Sequence, residues 1–384
     1  MRIPLVIVAL FIHWVVSAQS IKVSIFNSKE INSVTVSINQ GKYILKRGNE
    51  TLGEYRKGTL FHISRFGNTL EVRDKRNFIG NFQTVELHST DKEGVLTVKP
   101  VNPLLTESEY DDDVTIFCEN NRMRIINKPD MEKYIAAVIE AEGGNHAPLE
   151  YYKAQAILIR TFTIKNLYKH AEEGFDLCDE VHCQAYKGRC SQHPEIMEAT
   201  TSTTGKVLAD QSDVLIMSPF HSNCGGMTSS AGMVWQKDLP YLVSVRDPFC
   251  TNSLHATWTK TVSRADWNTF ISDYTKNNID YQRYSFTFNS PTRTKFVLIN
   301  GIELNLRTVR EYFNLNSAFF SITDDGESLT FNGRGYGHGV GMCQEGAMEM
   351  ARVGYCWLDI IHFYFRNVKI LDYRDMDLNR FRPE

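Results

Sequence analysis

From Gly333 to Gly341 a glycine stands at every second position, at 333, 335, 337, 339 and 341, with Arg334, Tyr336 and His338 between them. No ordinary strand or helix is built on alternate glycines, because glycine gives up more conformational freedom on folding than any other residue. Such a run persists where something approaches the backbone too closely for a Cβ. Arg334, Tyr336 and His338 are the side chains left to face it, so the segment reads as a binding surface. A glycine-rich barrel strand or bulge is the plain structural alternative. The spacing is neither that of a dinucleotide fingerprint nor that of a Walker loop, which removes phosphate cradling as an explanation.

The start of the chain narrows the setting. Met1-Arg2, an apolar run over 3–16 and Ser17-Ala18 have the form of a secretory signal cut after Ala18. A membrane anchor needs roughly 20 apolar residues, and here His13 interrupts a shorter run. The expectation is an exported chain, in the periplasm, cell envelope or outside, with no transmembrane segment once mature. Lys and Arg number 42 against 45 Asp and Glu, and the basic residues are dispersed. That excludes an electrostatic nucleic-acid partner and suits an uncharged polymer. The many Tyr and Phe serve core packing, with sugar stacking as a second use.

The patterning predicts an α+β chain: a signal over 1–18, a β-rich N-terminal region over 19–113 and a domain of helices and mixed or antiparallel β structure over 114–384. Short alternating runs such as Lys22-Val-Ser-Ile-Phe and Ser33-Val-Thr-Val-Ser-Ile mark antiparallel strands to about Pro103. Leu104 to Asp113, ending in three aspartates, reads as a solvated loop, and strands resume over 114–126. Asp130 then N-caps a helix whose apolar stripe is Tyr134, Ile135, Val138 and Ile139, stopped by Gly143-Gly144. Pro148 suits the first turn of a second helix running to about Lys169. Strand patterns return over 206–220, 241–245, 285–289 and 295–300. Closing helices are expected over 343–353 and 358–365.

Glu142 ends the apolar stripe of the first helix. A carboxylate so placed is partly desolvated, which raises its pKa and makes it a candidate general acid; a solvated helix end is the bland alternative. Lys153 and Arg160 lie seven residues apart on one face of the second helix. Alone, each reads equally well as a surface cation.

Five segments taken in order carry more weight than any one. They are Tyr134-Ile-Ala-Ala-Val-Ile-Glu-Ala-Glu142, Leu149-Glu-Tyr-Tyr-Lys-Ala-Gln-Ala-Ile-Leu-Ile-Arg-Thr-Phe162, His182-Cys-Gln-Ala-Tyr186, His221-Ser-Asn-Cys-Gly-Gly226 and the glycine segment. Together they resemble the stage II sporulation protein D family (SpoIID/LytB), over roughly 126–365. The resemblance implies a lytic transglycosylase acting on peptidoglycan glycan strands, or a modifier of a cell-wall amidase. It places Glu142 at the family's catalytic glutamate, although Gly143-Gly144 stand where the family has Met-Pro, and Glu140 is a nearby competitor. Lys153 and Arg160 match the basic positions of the family's Lys-Ala-Gln-Ala-x-x-x-Arg-Thr helix. His221, Ser222, Asn223, Tyr336, His338 and Gln344 are then the residues expected to line a groove for the glycan.

His170, Cys178, His182 and Cys183 supply two nitrogens and two thiolates within one short stretch. That is a ligand set for tetrahedral zinc, with a disulfide from Cys178 or Cys183, and Cys190 as one partner, as the rival reading. Some members of the resembled family carry a zinc ion near the cleft on ligands of this type. The resemblance thus implies a structural zinc that fixes the loop beside Glu142. Cys224 and Cys343 stand where the family usually has serine. A disulfide between them is one expectation and two free buried thiols the other; Cys118, Cys190, Cys250 and Cys356 have no assigned partner.

Overall fold

The computed structural model describes residues 20–75, 77–91, 93–143, 146–235, 237–276, 286–299 and 301–381; the expected signal, Gly144 and the first residue of the strand expected from Ser285 lie outside them. The chain divides into two compact units, 1–134 and 135–384.

The first unit is all β up to Asp130, as the alternating sequence requires. One sheet runs, among the strands of this unit, Val23–Ile25, Arg122–Lys128, Asp113–Glu119, Thr84–Ser89, Lys42–Arg47 and Glu50–Arg56. The other runs Ser108–Asp111, Val95–Asn102, Ser33–Gln40, Leu60–Phe66, Thr69–Asp74 and Asn77–Phe82. Every described pairing between these strands is antiparallel, and Val34, Val36 and Ile38 alternate inward with Leu70, Val72, Val85 and Leu87. The hairpin 113–128 pairs into the first sheet, on the far side of the boundary expected at 113.

The acidic stretch is also corrected. Ser108–Asp111 is a strand paired with 95–98, and Tyr110 and Asp111 are buried. Asp112 accepts from the Asp130 N–H at 2.9 Å and the Lys133 ammonium at 2.6 Å, and Asp113 accepts from the Ser89 N–H at 2.7 Å. These aspartates tie turns together instead of facing solvent.

Eight helices occur among the described residues: α1 (Met131–Glu142), α2 (Leu149–Lys165), α3 (Pro194–Ser202), α4 (Ala231–Val234), α5 (Arg264–Thr275), α6 (Leu306–Tyr312), α7 (Gln344–Arg352) and α8 (Trp357–Tyr364). Asp130 caps α1 by accepting from the Glu132 N–H at 2.9 Å. Pro148 is the N-cap of α2, one position ahead of expectation, and α2 ends at Lys165. In the second unit α2 is the hub, touching α3, α7, α8 and the strand Lys206–Ala209. A four-stranded sheet, ordered Thr257–Ser263, Ser328–Arg334, Phe320–Asp324 and Thr287–Phe288, packs with α5 around Trp267, Phe270, Leu329 and Phe331. No strand forms over 241–245.

The alternate glycines now have a physical cause. Gly335, Gly337, Gly339 and Gly341 all have positive φ, between 75° and 102°. What approaches them is the protein's own chain: backbone over 219–225 at Gly335 and Gly341, the His221 Cβ at Gly337 and the Arg293 guanidinium at Gly339. Phe220–His221 pairs parallel with Met342–Cys343, and bridges join Asn223 to Tyr336 and Ser229 to Val340. A Cβ on Gly341 would lie 2.1 Å from the Pro219 carbonyl oxygen, and one on Gly335 would lie 2.6 Å from that of Asn223. Gly341→Ala combines left-handed strain with this overlap and is expected to destabilise the fold by about 2 kcal/mol or more. Gly354→Ala, at φ 101° with open space around it, is expected to cost the backbone part alone, about 1–2 kcal/mol. Urea unfolding of both variants checks this; equal losses would count against the close-approach account.

Candidate functional site

Glu142 is the last residue of α1, and Gly143 follows in a left-handed conformation at φ 103° that ends the helix. The carboxylate is half-buried, and its Oε1 accepts one backbone bond, from the Ala185 N–H at 3.1 Å. Burial pushes its pKa up, against the downward pull of that bond and of Lys187. The negative end of the helix acts in the same upward direction as burial. A proton is therefore held more readily here than on an ordinary glutamate. Glu140, the competitor, accepts from the Ser191 and Gln192 N–H groups at 3.2 and 3.0 Å and from the Cys190 thiol. That makes it the anchor of a turn, fully engaged by backbone.

A route leads from the acid to the glycine segment. Tyr151, buried on α2, lies within the field of Glu142, and its hydroxyl oxygen accepts from the Gln344 amide at 3.3 Å. Glu345, the next residue on α7, pairs with His255 and also accepts from the Asn223 amide at 2.6 Å. Burial alone would raise the Glu345 carboxyl, but the bonds from Ser253, His255 and Asn223 outweigh it and hold the group below the usual carboxylate range. His255 in turn stands edge-on to Tyr336 with ring centroids 5.3 Å apart, and Ser222 Oγ lies 3.5 Å from His255 Nδ1. Tyr336 is exposed, and Glu345 also lines a cavity of about 430 Å³ with Ser253, Met348 and Arg352. Buried tyrosine, amide, carboxylate, imidazole and exposed ring thus form one polar strip, with Glu142 near its buried end.

Several residues expected to line the groove are scaffold instead. Arg160 is fully buried, and its guanidinium donates to the carbonyls of Thr200 and Lys206 at 3.1 and 3.2 Å. It neutralises the carbonyl end of α3 and has no face for a ligand. Lys153 is held by Glu150 at 2.6 Å, and Glu150 also accepts from the Trp357 N–H, so the pair joins α2 to α8. Asn223 is buried, with its amide spent on Cys250, Ser253 and Glu345. His221 is buried against the Val340 carbonyl at 3.1 Å, and burial drives its pKa well down, so the ring is neutral. His338 accepts from the Val340 N–H at 3.0 Å and also bonds the Phe220 backbone; burial lowers it to about 4. It lines a partly open cavity of about 190 Å³ together with Trp235, Arg293 and Arg310. Arg334 lies over the Phe319 ring, 3.8 Å from its centroid, and donates to the Ser290 carbonyl at 2.5 Å. Of the expected groove residues, Tyr336, Ser222 and the buried Gln344 keep a place on the strip.

His170, Cys178, His182 and Cys183 converge so that their ligand atoms all lie within 4.8 Å of one another. His170 Nε2 is 3.5 Å from the Cys183 sulfur, and His182 Nδ1 is 3.8 Å from that of Cys178. Bonds of about 2.0–2.3 Å put tetrahedral ligands roughly 3.3–3.8 Å apart, so the group fits a metal ion. Glu173 bonds His170 Nδ1 at 2.7 Å, which turns Nε2 toward the centre as an outer partner should. The rival disulfide with Cys190 is corrected, since Cys190 is taken up by Glu140 and the His193 carbonyl. Cys224 and Cys343 are free buried thiols, and their contact is a bond from the Cys224 N–H to the Cys343 sulfur at 3.3 Å.

Sequence reasoning assigned no role to Tyr151, Ala185, Lys187, His255, Asp247 or Cys250. Tyr151 sits inside the quoted α2 segment, and its place one turn from Pro148 was the available signal.

Residues 119–209 match the family model described as SpoIID, stage II sporulation protein. The chain is 31% identical over 267 residues to the stage II sporulation protein D of Bacillus subtilis, covering 65% of this chain and 77% of that one. It is 28% identical over 298 residues to an uncharacterized protein of Brachyspira hyodysenteriae, covering 76% and 80%. It is also similar to the amidase enhancer of Bacillus subtilis, at 25% over 281 residues, 59% of this chain and 38% of that one.

Arg160→Met is expected to leave the α3 carbonyls without their donor and to cost about 2–4 kcal/mol in stability. Lys153→Met, losing a part-exposed ion pair, should cost about 1 kcal/mol or less. Denaturant midpoints of the two variants check the ranking, and a reversed order would return Arg160 to the surface.

Proposed function

The chain belongs to the stage II sporulation protein D family, and on that premise we propose that it is an exported lytic transglycosylase of peptidoglycan glycan strands, working in the periplasm or cell envelope. The observation that carries this reading is Glu142: a single half-buried acid with a raised pKa at a helix end, one backbone donor from Ala185 and a polar strip leading to an exposed aromatic ring. No second carboxylate is needed. Hydrolases add one to activate water or attack the sugar, whereas a transglycosylase uses the same group twice. Glu142 gives its proton to the oxygen joining N-acetylmuramic acid to N-acetylglucosamine, and the C1–O bond breaks. The resulting carboxylate takes the proton of the muramoyl C6 hydroxyl, whose oxygen closes on C1. The product is a 1,6-anhydro sugar, no water is consumed, and the acid is regenerated. The substrate's own acetamido group supports the cation-like centre, as in substrate-assisted glycosidases. Tyr336 offers the glycan a ring to stack on.

Zinc is the ion proposed for His170, Cys178, His182 and Cys183. With four protein ligands the site is closed and structural. When bound, the ion supplies rigidity to the loop that carries Ala185. What this chain's residues then do is hold the Ala185 N–H on Glu142 and keep Lys187 nearby.

The similarity to an amidase enhancer favours a second reading, a non-catalytic glycan binder that stimulates a cell-wall amidase. Glu142→Gln separates the two. On the first reading it abolishes release of 1,6-anhydro ends from peptidoglycan and from peptide-free glycan while unfolding is unchanged. Full anhydro release by that variant would remove Glu142 from the mechanism, and stimulation of an amidase undiminished by it would favour the enhancer.

The pH dependence has a definite sign. The acid must carry its proton to start the reaction, so activity is present below the raised pKa and lost as pH rises through it. The basic limb of kcat/KM should lie above the ordinary glutamate value of about 4.3. Because Lys187 pulls the Glu142 pKa down, Lys187→Met should move that limb to higher pH. A limb unmoved by Lys187→Met would show that another group titrates.

A further inference from the structure

A second convergence of metal-type ligands is made by residues separate from Glu142 and from the His170 group. Cys224, Asp247, Cys250 and Cys343 are all buried, and one ligand atom from each lies within 4.8 Å of the others. They come from three separate segments: the turn after Phe220–His221, the loop 247–250, and the N-cap of α7. The Cys224 sulfur is 3.3 Å from that of Cys250 and 3.2 Å from Asp247 Oδ2. We propose that these four residues form a Cys₃Asp site for zinc or a similar thiophilic divalent ion.

Four features are those of a built site. First, each of three backbone N–H groups points at a sulfur: Cys224 N and Gly346 N at Cys343, at 3.3 and 3.4 Å, and Gly226 N at Cys250, at 3.4 Å. Amide donors suit thiolates, which accept hydrogen bonds well, far better than they suit thiols or disulfide sulfurs. Second, Asp247 has outer partners, the Tyr364 hydroxyl at 2.9 Å on Oδ2 and the Phe249 N–H at 2.9 Å on Oδ1. Ligating carboxylates are commonly oriented in this way. Third, the site needs Gly346, where a Cβ would lie 2.4 Å from both Asp247 Oδ2 and the Tyr364 hydroxyl. Fourth, Arg293 is buried beside it and donates to the Cys224 carbonyl at 2.7 Å.

The charges decide between the alternatives. Binding deprotonates three thiols, whose protons leave to solvent, and no electron is transferred. Three thiolates and one carboxylate meet a divalent cation and the Arg293 guanidinium, with the amide donors and the N-terminus of α7 facing the remainder. A disulfide between Cys224 and Cys250 would instead use two of the four groups and leave the Cys343 sulfur and the buried Asp247 carboxylate with no metal between them. Three sulfurs and a carboxylate converge, and the metal uses all four.

The proposal is independent of whether the chain cuts glycan. Metal content of the purified wild-type chain, of Cys250→Ser and of Cys178→Ser tests it by mass spectrometry of the element. Cys250→Ser should lose one equivalent of zinc that Cys178→Ser retains, and the cobalt-substituted form should lose thiolate charge-transfer absorption in proportion. If Cys250→Ser does not fold, X-ray absorption of the wild type decides, because five sulfurs shared by two metals differ from two sulfurs on one. Zinc content unchanged by Cys250→Ser, or a Cys224–Cys250 disulfide in a non-reducing peptide map of the native chain, would overturn the proposal.

Discussion

The second unit depends on one backbone contact, the passage of residues 335–343 against 219–229. Neither segment forms a sheet of useful size: the paired strands are Phe220–His221 and Met342–Cys343, supplemented by single bridges. What holds them is proximity that only glycine permits, with a Pro219 carbonyl and the Asn223 backbone lying where Cβ atoms would stand. The conformational entropy lost at four positive-φ glycines is offset by buried polar pairing. His221 and His338 spend side-chain bonds on that seam, while Asn223 ties it to Cys250, Ser253 and Glu345. The burial of His221 and Asn223 follows from the seam.

That seam also explains how distant parts of the sequence reach one site. Gln344 and Glu345 are adjacent at the start of α7, where successive residues point about 100° apart. Gln344 turns to Tyr151 and the acid side, and Glu345 turns to His255 and the exposed Tyr336. Glu142 itself is held by other means, the end of α1 and the Ala185 N–H from the loop after Cys183. Two unrelated supports, a glycine seam and a ligand-rich loop, therefore converge on one strip. Electrostatically its two carboxylates are driven apart: burial raises Glu142, while donors hold Glu345 ionised. An acid able to carry a proton and a fixed charge are different tools.

Much of this was legible before any coordinates. The α1 stripe, its Asp130 cap and the placing of Glu142 follow from spacing, because helical period and capping are local. The β alternation of the first unit was equally plain. Other features were hidden for physical reasons. Arg160 reads as a surface cation until α3 is folded, since its partners are the carbonyl end of another helix. The aspartates at 111–113 look solvated because the turns they bind, at Ser89 and Asp130, are distant or merely adjacent in sequence. α5 was missed because its buried face is only Trp267, Phe270 and Ile271. A signal did exist there: Ser263 accepts from the Asp266 N–H at 3.0 Å, and Ser-x-x-Asp announces a helix start. The glycines were read correctly as a close approach, but the approaching body was assigned to a ligand instead of to the chain.

The position of Cys343 draws these threads together. It ends the seam, caps α7 through the Gly346 N–H, and accepts from Cys224 across the seam. Its side chain therefore sets the first turn of α7, and with it the directions of Gln344 and Glu345. A serine there would satisfy the cap equally well, so capping alone does not account for sulfur. Nor does packing, because Cys250 and Asp247 crowd the same point and a buried carboxylate is poorly placed among apolar groups. Sulfur at 224, 250 and 343 together with an outer tyrosine on Asp247 makes sense when the point is occupied by a cation. The polar strip would then be registered to the seam by coordination, leaving Glu142 to be tuned by burial, the Ala185 N–H and Lys187.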